Sequence, residues 1–240
     1  HGLIEKNGFR YFATTFGQCV SRLYIDPITG IMLHQGLAKA YRGAPFSSIG
    51  ILHLICCCPD MERLTSITKS DYNELETFNA SCADEFIVNS QDIPELEDAF
   101  FHLRVLKTTS LLATWIDEEK EEILCDRFNV GPGDIHRHVE AAQWLLHATS
   151  VIAELFKFKR FTFITDDLKN RVHYGIREEL LELVLLKGVG RIRARNLFEK
   201  GFKHLTDFKH TSVDELSKVS QIGKSLAKDI LKQMEKFSKK

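Results

Sequence analysis

The sequence predicts a mainly α-helical fold with one short β-hairpin at its start. Three observations carry this prediction. Apolar residues recur at helical spacing, among them Ile28, Met32 and Leu33, then Leu103, Leu106, Leu111 and Leu112. Helix-starting clusters, Asp26-Pro27 and Gly131-Pro132-Gly133-Asp134, stand where such runs begin. A hairpin signal is confined to residues 1 to about 16. With 240 residues, 44% hydrophobic and 27% charged, the chain can pack one large domain or two to three small ones.

In chain order, Asn7-Gly8 is the strongest hairpin signal, because both residues tolerate the positive φ of a type I′ turn. Leu3-Ile4 and Phe9 to Phe12 flank it as strands, and Gly17 to Ile25 reads as a short helix. Together they resemble the wing and closing helix of a winged-helix domain, expected over residues 1–26. The opening His1-Gly2-Leu3-Ile4-Glu5 is neither a signal peptide nor a natural start, so a piece of a longer chain is expected. Asp26-Pro27 starts the next helix, with Asp as cap and Pro pre-set for the first helical position. Asp60 to Ser90 reads as a helix and a looser connection, and Pro94 opens a helix carrying Leu96, Phe100 and Leu103.

Asp134 is expected to cap a helix to about Phe156, with Ile135, Val139, Ala142, Leu146 and Ala153 on its apolar face. Lys157 to Phe163, basic and aromatic, reads as a loop. A further helix is expected from Asp166-Asp167, an apparent N-cap, through Leu168, Val172, Ile176, Leu180 and Val184, with a bend at Gly175.

Several classes are excluded or disfavoured. The longest apolar run, Ile49 to Cys58, is broken by Gly50 and His53 and falls short of the ~18 residues of a membrane span. Cysteines 19, 56, 57, 58, 82 and 125 form no C-x-x-C pair and read as free, mostly buried thiols of an intracellular protein. His136 and His138 face apart, and His147 has no helical partner, so no metal site is expected. The acidic run Asp117-Glu118-Glu119-Glu121-Glu122 reads as a solvated helix face. No G-x-x-x-x-G-K-[ST] occurs, so the phosphate cradle of a nucleotide-driven motor is missing and no ATPase activity is expected of this chain alone.

The net charge of -1 conceals a division. From Lys169 onward there are 17 Lys/Arg against 9 Asp/Glu; residues 1–168 hold 15 against 24. A basic end on an acidic body suggests that the end faces a polyanion. A solvated basic tail is the rival explanation.

Within that end, a helix is expected to stop at Lys187. Gly188-Val189-Gly190 then turns the chain, and a new helix starts at Arg191 with Ile192-Arg193-Ala194-Arg195. Two glycines permit a tight turn and close approach to a partner, and the new helix offers unpaired amides to a phosphate. Val189 would plug the core, while Lys187, Arg191, Arg193 and Arg195 add charge, only some of which can face one strand. This is a helix-hairpin-helix pattern, which grips nucleic-acid backbone without reading sequence. A plain Gly-rich helix end followed by an amphipathic helix is the alternative. A second copy, Ser220-Gln221-Ile222-Gly223-Lys224-Ser225, argues against that alternative. It has Gln221 where the pattern wants glycine, which puts close phosphate approach there in doubt.

On the helix after Asp134, Arg137, Ala141, Trp144, Ala148 and Val151 share a face. Arg137 and Trp144 are separated by about 10.5 Å of helix rise at ~1.5 Å per residue, with small Ala141 between them. A guanidinium and an indole so placed suit stacking on the bases of one strand. Spacing alone favours a core tryptophan and a surface arginine.

Leu23-Tyr24-Ile25-Asp26-Pro27, Leu52-His53-Leu54-Ile55, Pro59-Asp60-Met61, Val139 to Leu146 and Tyr174 to Leu183 resemble the C-terminal half of archaeal repair helicases of the Hjm type. These are Ski-type superfamily-two DNA helicases. The resemblance covers nearly the whole chain. It implies a winged-helix remnant (1–26), an α-helical ratchet domain (27–168), and a linker helix with a helix-hairpin-helix domain (169–240). It implies a parent enzyme that hydrolyses ATP with Mg in upstream motor domains and moves 3′ to 5′ on single-stranded DNA at forked or stalled replication structures. Arg137 and Trp144 fall on the positions whose side chains stack on the tracked strand. The terminal module, including Gly223 and Lys224 of the second hairpin, would hold the strand leaving the motor.

Expected partners are single-stranded and forked DNA, the motor domains of the same protein, and replication or repair proteins. The chain is expected to be a monomer near chromosomal DNA, with no cofactor of its own. Two rival readings are an RNA-processing relative and a protein-interaction or autoregulatory platform.

Overall fold

The computed structural model describes residues 2–237. His1 and residues 238–240, which the expected limits 1–26 and 169–240 take in, lie outside the described residues. The chain opens with an antiparallel hairpin, β1 (Ile4–Asn7) and β2 (Arg10–Ala13), in register Ile4 to Ala13 and Asn7 to Arg10. The two-residue loop is therefore Gly8-Phe9, not Asn7-Gly8. Gly8 takes φ +61 and Phe9 no positive φ, which fits a type II′ turn, whose first central residue is glycine.

Helices follow: α1 (Thr15–Leu23), α2 (Pro27–Tyr41), α3 (Ser48–Cys57), α4 (Lys69–Cys82), α5 (Ala99–Ile116), α6 (Glu121–Phe128), α7 (Pro132–Leu155), α8 (Lys159–Tyr174), α9 (Arg191–Glu199), α10 (Val213–Leu216) and α11 (Lys224–Phe237). The mainly α prediction holds. Their starts are chemically marked. Thr14, Asp26, Ser47 and Thr68 each accept a hydrogen bond from a first-turn amide of the helix they precede.

Six further expectations are corrected. Pro94 opens a short 3₁₀ turn, Pro94–Glu97; α5 starts afterwards because the Asp98 carboxylate accepts from the amides of Phe100 and Phe101. Asp134 is the third residue of α7, not its cap, and its carboxylate accepts from the Gly131 amide at 2.9 Å. Lys157 to Phe163 is mostly helix, since α8 begins at Lys159. Asp166 and Asp167 consequently lie inside α8, where Asp166 pairs with Lys169 at 2.9 Å. Finally, α8 stops at Tyr174, and the chain runs through 3₁₀ turns Glu178–Leu180 and Leu183–Leu185, so no helix reaches Lys187. Gly175 is not a bend inside a helix: at φ +64 it takes the left-handed form that ends one.

The chain divides into two compact units. The first comprises residues up to Trp115 and Glu119–His173, the second Ile116–Glu118 and Tyr174 onward. In the first unit, α3 and α5 are buried almost all round, as expected of helices without a polar face. His53 of α3 stacks on Phe86 with centroids 3.8 Å apart, and burial, with the charge of His102, holds its pKa down to about 3. It is a neutral core residue. Lys107 of α5 is buried and donates to Asp71 at 3.0 Å and to the Ser66 carbonyl at 2.8 Å, so its charge is compensated. The cysteines are free thiols; Cys56, Cys57, Cys58 and Cys82 are buried. The second unit has its own core, to which Ile176, Leu180, Leu197, Phe208, Leu216 and Ile230 contribute.

Candidate nucleic-acid interface

The second unit is organised around two matching turns. In the first, the Val189 amide donates to the Leu186 carbonyl at 3.0 Å, and the Ala194 amide closes α9 on Gly190 at 2.9 Å. In the second, Ile222 donates to Val219 at 3.1 Å and Ala227 to Gly223 at 3.0 Å. Val189 and Ile222 are buried in the shared core, each fixing its turn. Gly188 takes φ +85, a form that favours glycine, and a Cβ there would press on the Leu226 Cδ1 methyl at 2.8 Å.

Gly190 precedes α9 with no side chain capping its amides, and a Cβ there would meet nothing within 4 Å. A phosphate therefore has both donors and room at this end of α9.

Gln221 occupies the place of Gly188 and keeps the same left-handed form, φ +62. The second turn thus retains its backbone path but carries a side chain where the first has none. Gly223 is exposed, and Lys224 lies 3.4 Å from Asp214 with both side chains in solvent.

The arginines of α9 separate by role. Arg193 bridges the two turns, donating through Nη1 to the Gly188 carbonyl at 2.8 Å and through Nε to the Gln221 carbonyl at 3.0 Å. Arg195, about 200° further round the helix at 3.6 residues per turn, binds Glu118 through two hydrogen bonds of 2.8 and 2.6 Å and Glu179 at 2.8 Å. Burial pushes Glu118 up, but Arg195 and the Arg177 amide outweigh it and hold the carboxyl below its usual range. Glu118 is thus an internal ion-pair partner rather than part of a solvated helix face. Lys187 is exposed, and Gln233 holds its backbone on both sides through Lys187 N at 2.8 Å and O at 3.3 Å. Hairpin one therefore gathers Lys187, Gly188, Val189, Gly190, Arg191 and Arg193, while Arg195 is committed elsewhere.

In the first unit, α7 presents Arg137 and Trp144 on an exposed face. Arg137 donates to Asp134 at 2.5 Å and lies 3.6 Å from Glu62. Trp144 is 36% exposed, and its indole N–H donates to the Leu23 carbonyl at 3.0 Å. Ala148, by contrast, is buried, so the exposed stretch of this face ends within a turn of Trp144. The partners Leu23 and Glu62 were not foreseen, because nothing local in the sequence pairs them with α7. Among the described residues no three His, Cys, Asp or Glu side chains converge to hold a metal ion.

Two family profiles match the chain. One is described as archaeal helicase, domain 4, and matches residues 49–175; the other is a SAM-like helix-hairpin-helix tandem and matches residues 178–236. Among curated proteins, the chain is 35% identical to the ATP-dependent DNA helicase Hel308 of Methanocella arvoryzae, over 97% of this chain and 31% of that protein. It is 35% identical to the Hel308 of Thermococcus kodakarensis, over 94% of this chain and 20% of that protein. The Hel308 of Pyrococcus abyssi matches at 35% over 92% of this chain and 30% of its own length. The chain thus spans about a third or less of the length of these relatives.

Proposed function

Because the chain belongs to the archaeal helicase domain 4 family, we propose that it holds and guides a single DNA strand as the C-terminal region of an ATP-dependent 3′–5′ DNA helicase acting at forked structures. The observation that carries this reading is the α7 face. Trp144 is anchored at its indole edge by Leu23 yet keeps part of its ring in solvent, two turns from the exposed Arg137. An anchored ring is a prepared stacking surface: a base gains contact without having to order the side chain. Arg137 is held by carboxylates that a phosphate or base would displace or share.

Hairpin one supplies a contact of a different kind. Gly188 and Gly190 let the strand backbone come close, and the α9 amides donate to a phosphate without reading its base. Arg193 keeps that turn in shape, and Lys187 adds an exposed charge. Arg195 contributes to rigidity rather than to phosphate binding.

The sequence lacks the glycine-rich Lys-Ser/Thr cradle, and no ligand cluster stands in its stead among the described residues. The hydrolytic step is assigned to motor domains of the parent protein.

The test is a salt titration of oligothymidylate binding with the wild-type chain and with Trp144→Ala. The reading expects the variant to bind about 1–3 kcal/mol more weakly with an unchanged salt slope, because stacking is lost and phosphate contacts are not. Equal affinity in the two proteins would refute the stacking role.

A further inference from the structure

The first unit has a second basic and aromatic surface, away from Arg137 and Trp144. It is a cleft of about 600 Å³ where α2 ends, α7 ends and α8 begins. Tyr41 faces Phe158 with ring centroids 4.8 Å apart, and Phe46 faces Phe161 at 4.2 Å. Tyr41 is 68% exposed. Such a ring is poorly placed for a core and well placed for a partner.

Lys157, Lys159 and Arg160 line this cleft beside the rings, and Arg42 adjoins Tyr41 in the chain. All four are exposed, and none has a carboxylate within 4.0 Å among the described residues. Arg42 and Lys157 follow helix C-termini, where the dipole favours a cation. The same argument runs against Lys159 and Arg160. They open α8, at the positive end of its dipole, and its first turn holds no acid. Lys157 also takes φ +62, at the position where a helix end usually has glycine. All this occurs in a body with 15 Lys/Arg against 24 Asp/Glu over residues 1–168. Folding alone gives no reason to gather unpaired cations here.

We propose that this cleft is a second single-strand nucleic-acid site, in which a base stacks on Tyr41 beside Phe158 and the adjoining phosphates lie on Lys159 and Arg160. Charge complementarity selects a polyanion, and the open aromatic ring selects one with planar groups. An acidic polypeptide would satisfy the cations and leave the face of Tyr41 unused. The inference shares the single-strand reading of the chain but uses none of the residues on which that reading rests.

The experiment uses the 240-residue chain with oligothymidylate carrying 5-iodouracil, photo-cross-linked and mapped by mass spectrometry, alongside salt titrations of variants. Adducts are expected at Tyr41 or Phe158. The double variant Lys159→Glu, Arg160→Glu should weaken binding about ten-fold and flatten the slope of log K against log salt by about 1.4, for two single-strand phosphate contacts. Tyr41→Leu, which keeps bulk without a ring, should weaken binding with no change of slope. Should the charge reversal unfold the chain, Lys159→Gln with Arg160→Gln is read instead, with the same expected flattening. Adducts confined to Trp144 and hairpin one, an unchanged slope in a folded charge variant, or binding of polyglutamate in preference to the oligonucleotide would each overturn the proposal. Failure of Trp144→Ala to alter affinity would count against the α7 reading alone.

Discussion

The indole N–H of Trp144 donates to the main-chain carbonyl of Leu23 at 3.0 Å, joining α7 to the end of α1 across 121 residues of sequence. The bond has a use for each partner. It satisfies a carbonyl at a helix end, where orphan acceptors collect, and it fixes the ring that faces solvent. Trp144→Phe keeps a ring but removes the donor. Its stability should fall by about 0.5–1.5 kcal/mol in urea unfolding, the worth of one such hydrogen bond. A phenylalanine variant as stable as the wild type would show that the bond anchors nothing.

Gln221 and Gly188 occupy equivalent places in the two hairpins, with φ of +62 and +85. For glutamine that conformation is strained by about 1–2 kcal/mol. Gln221→Gly should therefore raise stability, offset in part by the greater entropy of a glycine in the unfolded chain. It should also clear the approach to the second turn and tighten single-strand binding. Thermal melting and anisotropy measure the two effects. A less stable variant would mean that the glutamine side chain makes a contact worth more than the strain.

Arg195 holds Glu118 and Glu179, and both carboxyls titrate below the usual glutamate value of 4.5 because its hydrogen bonds outweigh the opposing effect of burial. A carboxyl whose folded pKa is depressed binds fewer protons folded than unfolded. Its contribution is present above pH 4.5 and is lost as the pH falls through the folded value. The thermal midpoint should therefore drop below about that pH, and drop less steeply in Arg195→Gln. Parallel pH profiles for the two proteins would contradict this.

Lys107 is buried beside Asp71. Lys107→Met should cost about 3–5 kcal/mol, because the Asp71 carboxylate is left without its counter-charge, although the Thr68 amide still donates to it. Chemical denaturation of the variant gives the number. A loss under about 1 kcal/mol would mean that Asp71 is rehydrated in the variant or takes up a proton near neutral pH.

What could be read from the sequence was local chemistry. Asp26-Pro27 marks the start of α2, and the Gly-Val-Gly and Gln-Ile-Gly turns mark both hairpins, because caps and turns need particular residues at particular places. Where two local signals competed, the outcome was not legible. Lys157 to Phe163, basic and aromatic, reads as a loop, yet α8 begins at Lys159, and Phe161 and Leu168 are buried along it. Gly175 is expected from the sequence to bend a continuing helix, and its left-handed φ ends one instead. Long-range pairing left no trace. Arg195 and Glu118 are 77 residues apart, so an arginine engaged by two carboxylates looked the same as one available to phosphate. The Leu23 partner of Trp144 was hidden for the same reason.

The central claim is that Trp144 stacks on a base of a bound single strand, and its own fluorescence tests that most directly. The chain has two tryptophans, of which Trp115 is buried and donates to the Val172 carbonyl at 2.8 Å, so Trp144 is the one open to a strand. Titration with oligothymidylate should quench the emission of the wild-type chain saturably, and the quench should disappear in Trp144→Phe even though that variant still binds by anisotropy. Binding without quenching in the wild type, or equal quenching in both proteins, would contradict the account.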